Sequence, residues 1–168
     1  MNREILFRGK RTDNGEWVEG YYLYDGVSGK SYIHVYGNSV NESDKVGQEG
    51  YLRFVAYEID SEPICQYTGL TDKSGQKIWE NDILCARGNP NDIYQVYFGE
   101  FGVMNLKDET ITDKVVGWYM KVIPTEDVLS TLAPFNADMP LNEIWVENCE
   151  LEVIGNVFDN PELLKGGD

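Results

Sequence analysis

The 168-residue sequence has a single histidine, three cysteines and no long apolar run. A Ser–His or Cys–His catalytic pair could therefore use only His34. Because Cys65, Cys85 and Cys149 have no CxxC spacing, they predict neither a disulfide framework nor a zinc site. No apolar stretch approaches the roughly 18 residues that cross a bilayer, and the N-terminus lacks the apolar region of a signal peptide. We therefore expect a cytoplasmic protein without membrane contact.

Signatures of catalysis are also missing. The sequence contains no GxxxxGK[ST] phosphate loop, no GxSxG nucleophile turn and no HExxH zinc motif. His34 alternates with Tyr32 and Tyr36 in a predicted strand, which favours a structural or surface role. These absences predict a protein that is not an enzyme, with no catalytic residue and no cofactor-binding residue.

Two carboxylate pairs are the candidates for metal-dependent chemistry. Glu80 with Asp82, and Glu150 with Glu152, each stand two positions apart, so both members would share one face of a strand. Asp and Glu around a cation are sufficient ligands for some nucleases. With 29 acidic residues in the chain such pairs also arise by chance. We therefore expect no metal site and no cofactor.

Negative charge dominates the composition. The chain has 14 basic and 29 acidic residues, a net charge of −15, which argues against binding to nucleic acid. The charge could serve solubility alone or could face a basic partner. Basic residues crowd the start (Arg3, Arg8, Lys10 and Arg11), whereas residues 122–168 hold ten acids and one Lys. Attraction between the two ends predicts a homo-oligomer, at least a dimer, with residues 2–24 in the contact. The alternative is a monomer in which the basic residues at the start, the basic arm, contact the acidic residues 122–168 of the same chain.

Composition and turn chemistry predict a mainly β fold. Eleven Tyr, six Phe, four Trp and seventeen Gly are typical of strands and turns. Turn residues at 13–15 predict an N-terminal hairpin, and those at 72–75 a second one. The aromatic strand 17–24 suits either a core or a platform for stacked bases. Alternation predicts strands over residues 5–7, 17–24, 31–36, 51–59, 64–68, 77–79, 83–86, 94–98, 102–106 and 115–123.

One or two short helices complete the prediction. A helix is expected over residues 124–133, capped by Thr125, and a loop over residues 37–50. Residues 139–147 have helical spacing but are short. A last strand places Cys149, Leu151, Val153 and Val157 on one face, with Glu150 and Glu152 on the other.

Three blocks of the sequence resemble the YopX family of phage and prophage proteins: residues 3–9 (REILFRG), 66–83 (QYTGLTDKSGQKIWENDI) and 152–164 (EVIGNVFDNPELL). Asn81 departs from the family pattern, which usually has Gly before the Asp. The resemblance implies a small SH3-like β roll over residues 63–160, and we expect an N-terminal β region over residues 1–62 and a tail over 161–168 on either side of it. It implies self-association, a bacterial host cytoplasm and no catalytic residues.

These observations leave three functions open. The leading one is a phage-encoded accessory protein that binds a host protein or assembles with itself and catalyses nothing. The first alternative is an acidic DNA mimic that occupies a host DNA-binding protein, which the charge of −15 favours. The second is a carboxylate–metal enzyme, which would require paired carboxylates that are open to solvent.

Overall fold

The chain folds into strands that form two compact units, Met1–Gln66 and Tyr67–Asp168. The computed structural model describes residues 4–36, 54–105, 110–124 and 138–165. The mainly β prediction is confirmed. The loop predicted over residues 37–50 and the helix predicted after Pro124 lie outside the described residues. Within the described part, no helix is long and apolar enough to span a membrane.

Four strands close into a ring in the first unit. They are β1 (Phe7–Arg11), β2 (Trp17–Asp25), β3 (Lys30–Tyr36) and the first part of β4 (Phe54–Thr71). β1 pairs antiparallel with both β2 and β4, and β3 lies between β2 and β4. The ring buries Leu6, Ile33, Ile59 and Cys65. Because β1 is paired along both sides, it offers no open strand edge for the contact predicted to involve residues 2–24.

The second unit contains the rest of β4 and the remaining elements. These are β5 (Lys77–Trp79), β6 (Asp82–Cys85), β7 (Ile93–Asn105), β8 (Thr110–Val122), β9 (Met139–Pro140), helix α1 (Glu143–Asn148), β10 (Glu152–Asn156) and a 3-10 helix (Pro161–Lys165). Five of the strands form one antiparallel sheet in the order β10-β6-β7-β8-β9.

Strand β6 shows how the core of the second unit is built, because all four of its residues are buried. Leu84 joins the main apolar cluster with Val96, Met120 and Leu151. Ile83 and Cys85 point the other way into a second cluster, as the two-residue repeat of a strand requires. A strand covered on both faces is a rigid base for its neighbours.

Two predicted breaks between strands were wrong, because one strand continues through each of them. Residues 54–59 and 64–68 belong to one strand, β4, which absorbs the intervening residues by a register shift against β1, and residues 51–53 lie outside the described residues. Likewise β7 runs unbroken where strands 94–98 and 102–106 were expected. Gly99 stands opposite Gly117, and the stacked rings of Phe101 and Tyr119, 5.1 Å apart, flank this glycine pair. The two rings cover the backbone that the glycines leave without side chains, which keeps the strand continuous.

The predicted last strand was wrong over residues 149–151. Helix α1 ends there in a Schellman motif: the N–H of Leu151 donates to the carbonyl of Val146 and that of Glu150 to the carbonyl of Glu147. Glu150 takes a left-handed conformation with φ 48°. Strand β10 therefore begins only at Glu152, and Glu150 and Glu152 do not form a pair on one strand face.

Candidate functional site

The described residues form a groove in the second unit, and its first wall is the turn after β4. Asp72 is buried, and its Oδ1 accepts hydrogen bonds from the N–H of Ser74 at 2.8 Å and of Gln76 at 2.9 Å. Its Oδ2 accepts from the N–H of Val153 on β10 at 3.0 Å. Gly75 closes the turn with φ 86°, a left-handed conformation that favours glycine. One carboxylate thus fixes both the turn and its attachment to β10.

Hydrogen bonding sets the ionisation of that carboxylate. Burial alone would raise the pKa of Asp72, but the Ser74 hydroxyl and the N–H groups of Val153, Gln76 and Ser74 outweigh it, so the pKa lies below its usual value. Bonds to the charged form favour that form. Asp72 is therefore a structural anion whose lone pairs are already engaged.

A bulge before the turn aims Leu70 toward the groove. The pairing of β4 with β5 shifts register between Tyr67 and Thr71. Within the bulge the hydroxyl of Thr68 donates to the carbonyl of Ile78 at 2.8 Å and accepts from the N–H of Leu70 at 3.1 Å. Leu70 packs half-buried against the main apolar cluster. The bulge thereby changes the direction of the Leu70 side chain from the one that the alternation of a regular strand would give it.

Helix α1 supplies the second wall. Asn142 caps its start, with Oδ1 accepting from the N–H of Trp145 at 3.0 Å. Glu143, Val146 and Glu147 stand at i, i+3 and i+4 and share one face. Val146 is buried in the main cluster, and both glutamates are exposed. The helix face therefore presents an apolar centre between two carboxylates.

The groove between these walls has a volume of about 490 Å³, within the range of small-molecule sites. It is lined by Gly69, Leu70, Thr71, Asp72, Lys73, Glu143, Val146 and Glu147. Lys73 forms an ion pair of 2.7 Å with Glu152, and the hydrogen bond to Glu152 raises the pKa of Lys73. The result is an apolar floor with an acidic rim, held by hydrogen-bonded elements.

The carboxylates considered for metal binding are not arranged as an open pair. Asp82 is 1% exposed, and its Oδ2 accepts the N–H of Trp79 at 2.8 Å. Asp82 thus closes the turn between β5 and β6, beside a half-buried Glu80. Among the described residues, no three His, Cys, Asp or Glu side chains lie close enough together to hold a metal ion.

The lone histidine and the three cysteines are not among the residues that line the groove. His34 is half-buried on β3, opposite Tyr21 of β2. All three cysteines are free thiols; Cys65 and Cys85 are buried and Cys149 is half-buried. Burial, with Asp92 nearby, raises the pKa of the Cys85 thiol, which makes it a poor nucleophile.

The aromatic side chains of strand β2 are distributed over both of its faces. Tyr22 lies with Phe7, their ring centres 5.6 Å apart. On the other face, Tyr21 is 46% and Leu23 49% exposed. The guanidinium of Arg8 lies 4.7 Å from the ring of Trp17 on this outer face. The alternation leaves no uninterrupted platform along the strand for stacked bases.

The basic arm engages nearby partners in its own unit. The ammonium of Lys10 lies 5.4 Å from the ring of Trp17. Arg11 donates from Nε to Asp13 at 2.9 Å, and its guanidinium lies 4.4 Å from the ring of Tyr57. Arg3 lies outside the described residues. The described arm residues therefore already have local contacts before any acidic tail is considered.

Comparison with known proteins assigns the family. A family model described as YopX protein matches residues 6–165, nearly the whole chain. The chain belongs to the YopX family. No curated protein matches it. Among solved structures, the crystal structure of protein EF1440 from Enterococcus faecalis is similar at 19% identity, covering 97% of this chain and 99% of that chain, with a TM-score of 0.44.

For this YopX-family chain, the resemblance inferred from three sequence blocks is confirmed, but the groove was not foreseen. Two of its signals were readable: the turn residues after Thr71 and the Asn142 cap, which stands three positions before Trp145. The bulge at Thr68 and the helix end at Glu150 have no sequence signature of comparable strength. Without them, the approach of Leu70 to Val146 could not be inferred.

Proposed function

We propose that the chain is a phage-type accessory protein that binds another protein through the groove and catalyses no reaction. The observation that carries the proposal is the groove itself, which combines an apolar floor of Leu70 and Val146 with exposed carboxylates. In this proposal the second unit serves as an SH3-like roll that presents the groove, and the protein acts in the cytoplasm of a bacterial host.

The groove suits recognition of a peptide segment because its walls are preorganised. Asp72 links one wall to β10, and the Asn142 cap and the Schellman motif fix the other. A site held by hydrogen-bonded elements loses little freedom on binding, which improves affinity. The groove lining contains no His, Cys or Ser, which agrees with a site that binds rather than catalyses.

The test compares the host proteins captured by the wild type with those captured by a variant whose groove is filled. Thr71 lines the groove and is exposed, so Thr71→Trp should obstruct it while leaving the fold intact. Ser61→Trp adds the same side chain at another exposed β4 position outside the groove. Immobilised wild type and both variants are exposed to lysate of the bacterial host. We expect a protein that is retained by the wild type and by Ser61→Trp and lost with Thr71→Trp. Equal retention by all three would overturn the proposal.

An acidic DNA mimic predicts a different result in the same experiment. The net charge of −15 motivates this alternative. A mimic would retain DNA-binding proteins through charge over a wide surface, so Thr71→Trp would change little and moderate salt would release the partner. That pattern, together with displacement of the partner by duplex DNA, would replace the groove proposal with the mimic.

We also propose that the protein self-associates, now through the outer face of the first unit. Because β1 has no open edge, the contact would use the exposed side chains of Tyr21 and Leu23, which lie within the residues 2–24 first suggested. Exposed apolar residues grouped on one face are typical of interaction surfaces. Light scattering after size exclusion should give a mass of at least twice 19.1 kDa. A monomer mass in both low and high salt would contradict this proposal.

A further inference from the structure

We propose that the groove selects a segment in which an apolar side chain stands next to Lys or Arg, so that the partner is a protein with an exposed basic–apolar motif. This inference rests on the protein-binding function proposed above and specifies its ligand. It follows from the charges that remain unpaired around the groove once its internal contacts are counted.

Two of the charged groups in the groove are already neutralised or engaged. Lys73 is paired with Glu152 at 2.7 Å. Asp72 accepts hydrogen bonds from the N–H of Ser74, Gln76 and Val153 and from the Ser74 hydroxyl. An incoming cation would therefore gain little from Asp72, whose oxygens are turned into the fold.

Unlike Lys73 and Asp72, the carboxylates of Glu143 and Glu147 are available to a ligand. Both are exposed and line the groove, and no basic side chain of the described residues pairs with either. They stand one helical turn apart on α1, so their Cβ atoms are about 6 Å apart. Two carboxylates at that spacing favour a ligand with one cation or two closely spaced cations, and they repel acidic segments.

The position of Glu147 strengthens the local negative potential. It lies in the last turn of α1, where the carbonyl oxygens of a helix carry partial negative charge, and α1 has no basic residue in that turn. Arg87 reaches the helix end but donates to the carbonyl of Asn148, at 2.9 Å. A glutamate at this end is unfavourable in the free protein, and a cation of a bound partner would relieve it.

The apolar floor sets the second requirement. Leu70 packs against the buried cluster that contains Val146, and the two line the groove from opposite walls. An aliphatic side chain of the ligand would remove apolar surface from water at this point, which supplies affinity that charge alone would not. Lys and Arg adjacent to such a side chain can lay their methylene stems on the same floor while their charged ends reach the rim.

The experiment measures binding of a fluorescently labelled peptide with the core Arg-Leu-Arg in a Gly/Ser context. Two companion peptides replace either both Arg by Gln or Leu by Ser. The protein variants are Glu143→Gln/Glu147→Gln and the matched control Glu4→Gln/Asp60→Gln, which removes the same net charge at exposed positions outside the groove.

We expect saturable, salt-sensitive binding that weakens about fivefold in the groove variant, from two exposed charge contacts of roughly 0.5 kcal/mol each, and less than twofold in the control. Each companion peptide should bind more weakly than the Arg-Leu-Arg peptide. Equal weakening in both variants, equal binding of the Gln peptide, or no saturation at millimolar peptide would overturn the inference. If these results occur while Thr71→Trp still abolishes capture of the partner, the groove function stands and only its basic ligand is wrong. If capture survives Thr71→Trp, the function itself fails.

Discussion

Replacing Asp72 by Asn should destabilise the second unit strongly, although the change is nearly isosteric. The carboxylate accepts bonds at both oxygens, from Ser74 and Gln76 at one and from Val153 at the other. The amide keeps one acceptor oxygen and turns an NH₂ group toward the remaining donor. One bond to a charged acceptor, worth about 1.5–3 kcal/mol, is lost, and the others become weaker neutral bonds. We expect a loss of about 3 kcal/mol.

The pH dependence of this loss follows from the lowered pKa of Asp72. The folded-state pKa is below the unfolded value of about 3.9, so the carboxylate stabilises the fold fully above that pH. This stabilisation disappears as pH falls through the folded-state pKa. The difference between wild type and Asp72→Asn should therefore be constant above about pH 5 and shrink toward pH 3.

Urea denaturation at several pH values measures both effects. At neutral pH the midpoint should fall with an unchanged m-value, which identifies a change in stability alone. Asp60→Asn, at an exposed position of β4, is the control and should change the midpoint little. A loss below 1 kcal/mol for Asp72→Asn, or a difference from wild type that grows toward acid, would refute the reasoning about this carboxylate.

Three further substitutions test the local conformations and charges. Asn81 has φ 66°, a left-handed conformation that Gly adopts without strain, so Asn81→Gly should raise the free energy of unfolding by about 0.5 kcal/mol in urea titrations; a decrease would contradict this. Gly75→Val places a β-branched residue at φ 86° and should cost 1 kcal/mol or more, seen as a lower Tm; an unchanged Tm would count against it. Glu147→Gln should stabilise the free protein by about 0.3–1 kcal/mol, because it removes a negative charge from a helix C-terminus; thermal melts that show no gain would argue against the electrostatic cost assigned to Glu147.

The sequence predicted the features that depend on local chemistry. Alternation predicts the strand over residues 31–36, which the structure contains as β3, and turn composition predicts the turn at residues 72–75, which Gly75 closes. The family resemblance depended on three short blocks and extends over residues 6–165. Where a short stretch of sequence contains all the residues that determine a feature, the feature can be predicted from the sequence alone.

Features that depend on distant residues could not be predicted in this way. The continuity of β7 depends on Tyr119, twenty positions beyond Gly99, and that of β4 on its pairing with β1. The helix end at Glu150 uses a residue type that seldom adopts positive φ, so neither Gly nor Asn marks it. The groove combines such features, since Leu70 and Val146 are brought together by packing in one cluster.

The most direct test of groove binding is site-specific photo-cross-linking in the bacterial host. A photoreactive amino acid is placed at Thr71, inside the groove, and separately at Ser61, an exposed position on the same strand outside it. We predict a covalent adduct with a distinct host protein from position 71, joined through a peptide that contains Lys or Arg, and no such adduct from position 61. Equal adducts from both positions, or none from position 71 while the protein is still retained by a partner, would contradict it.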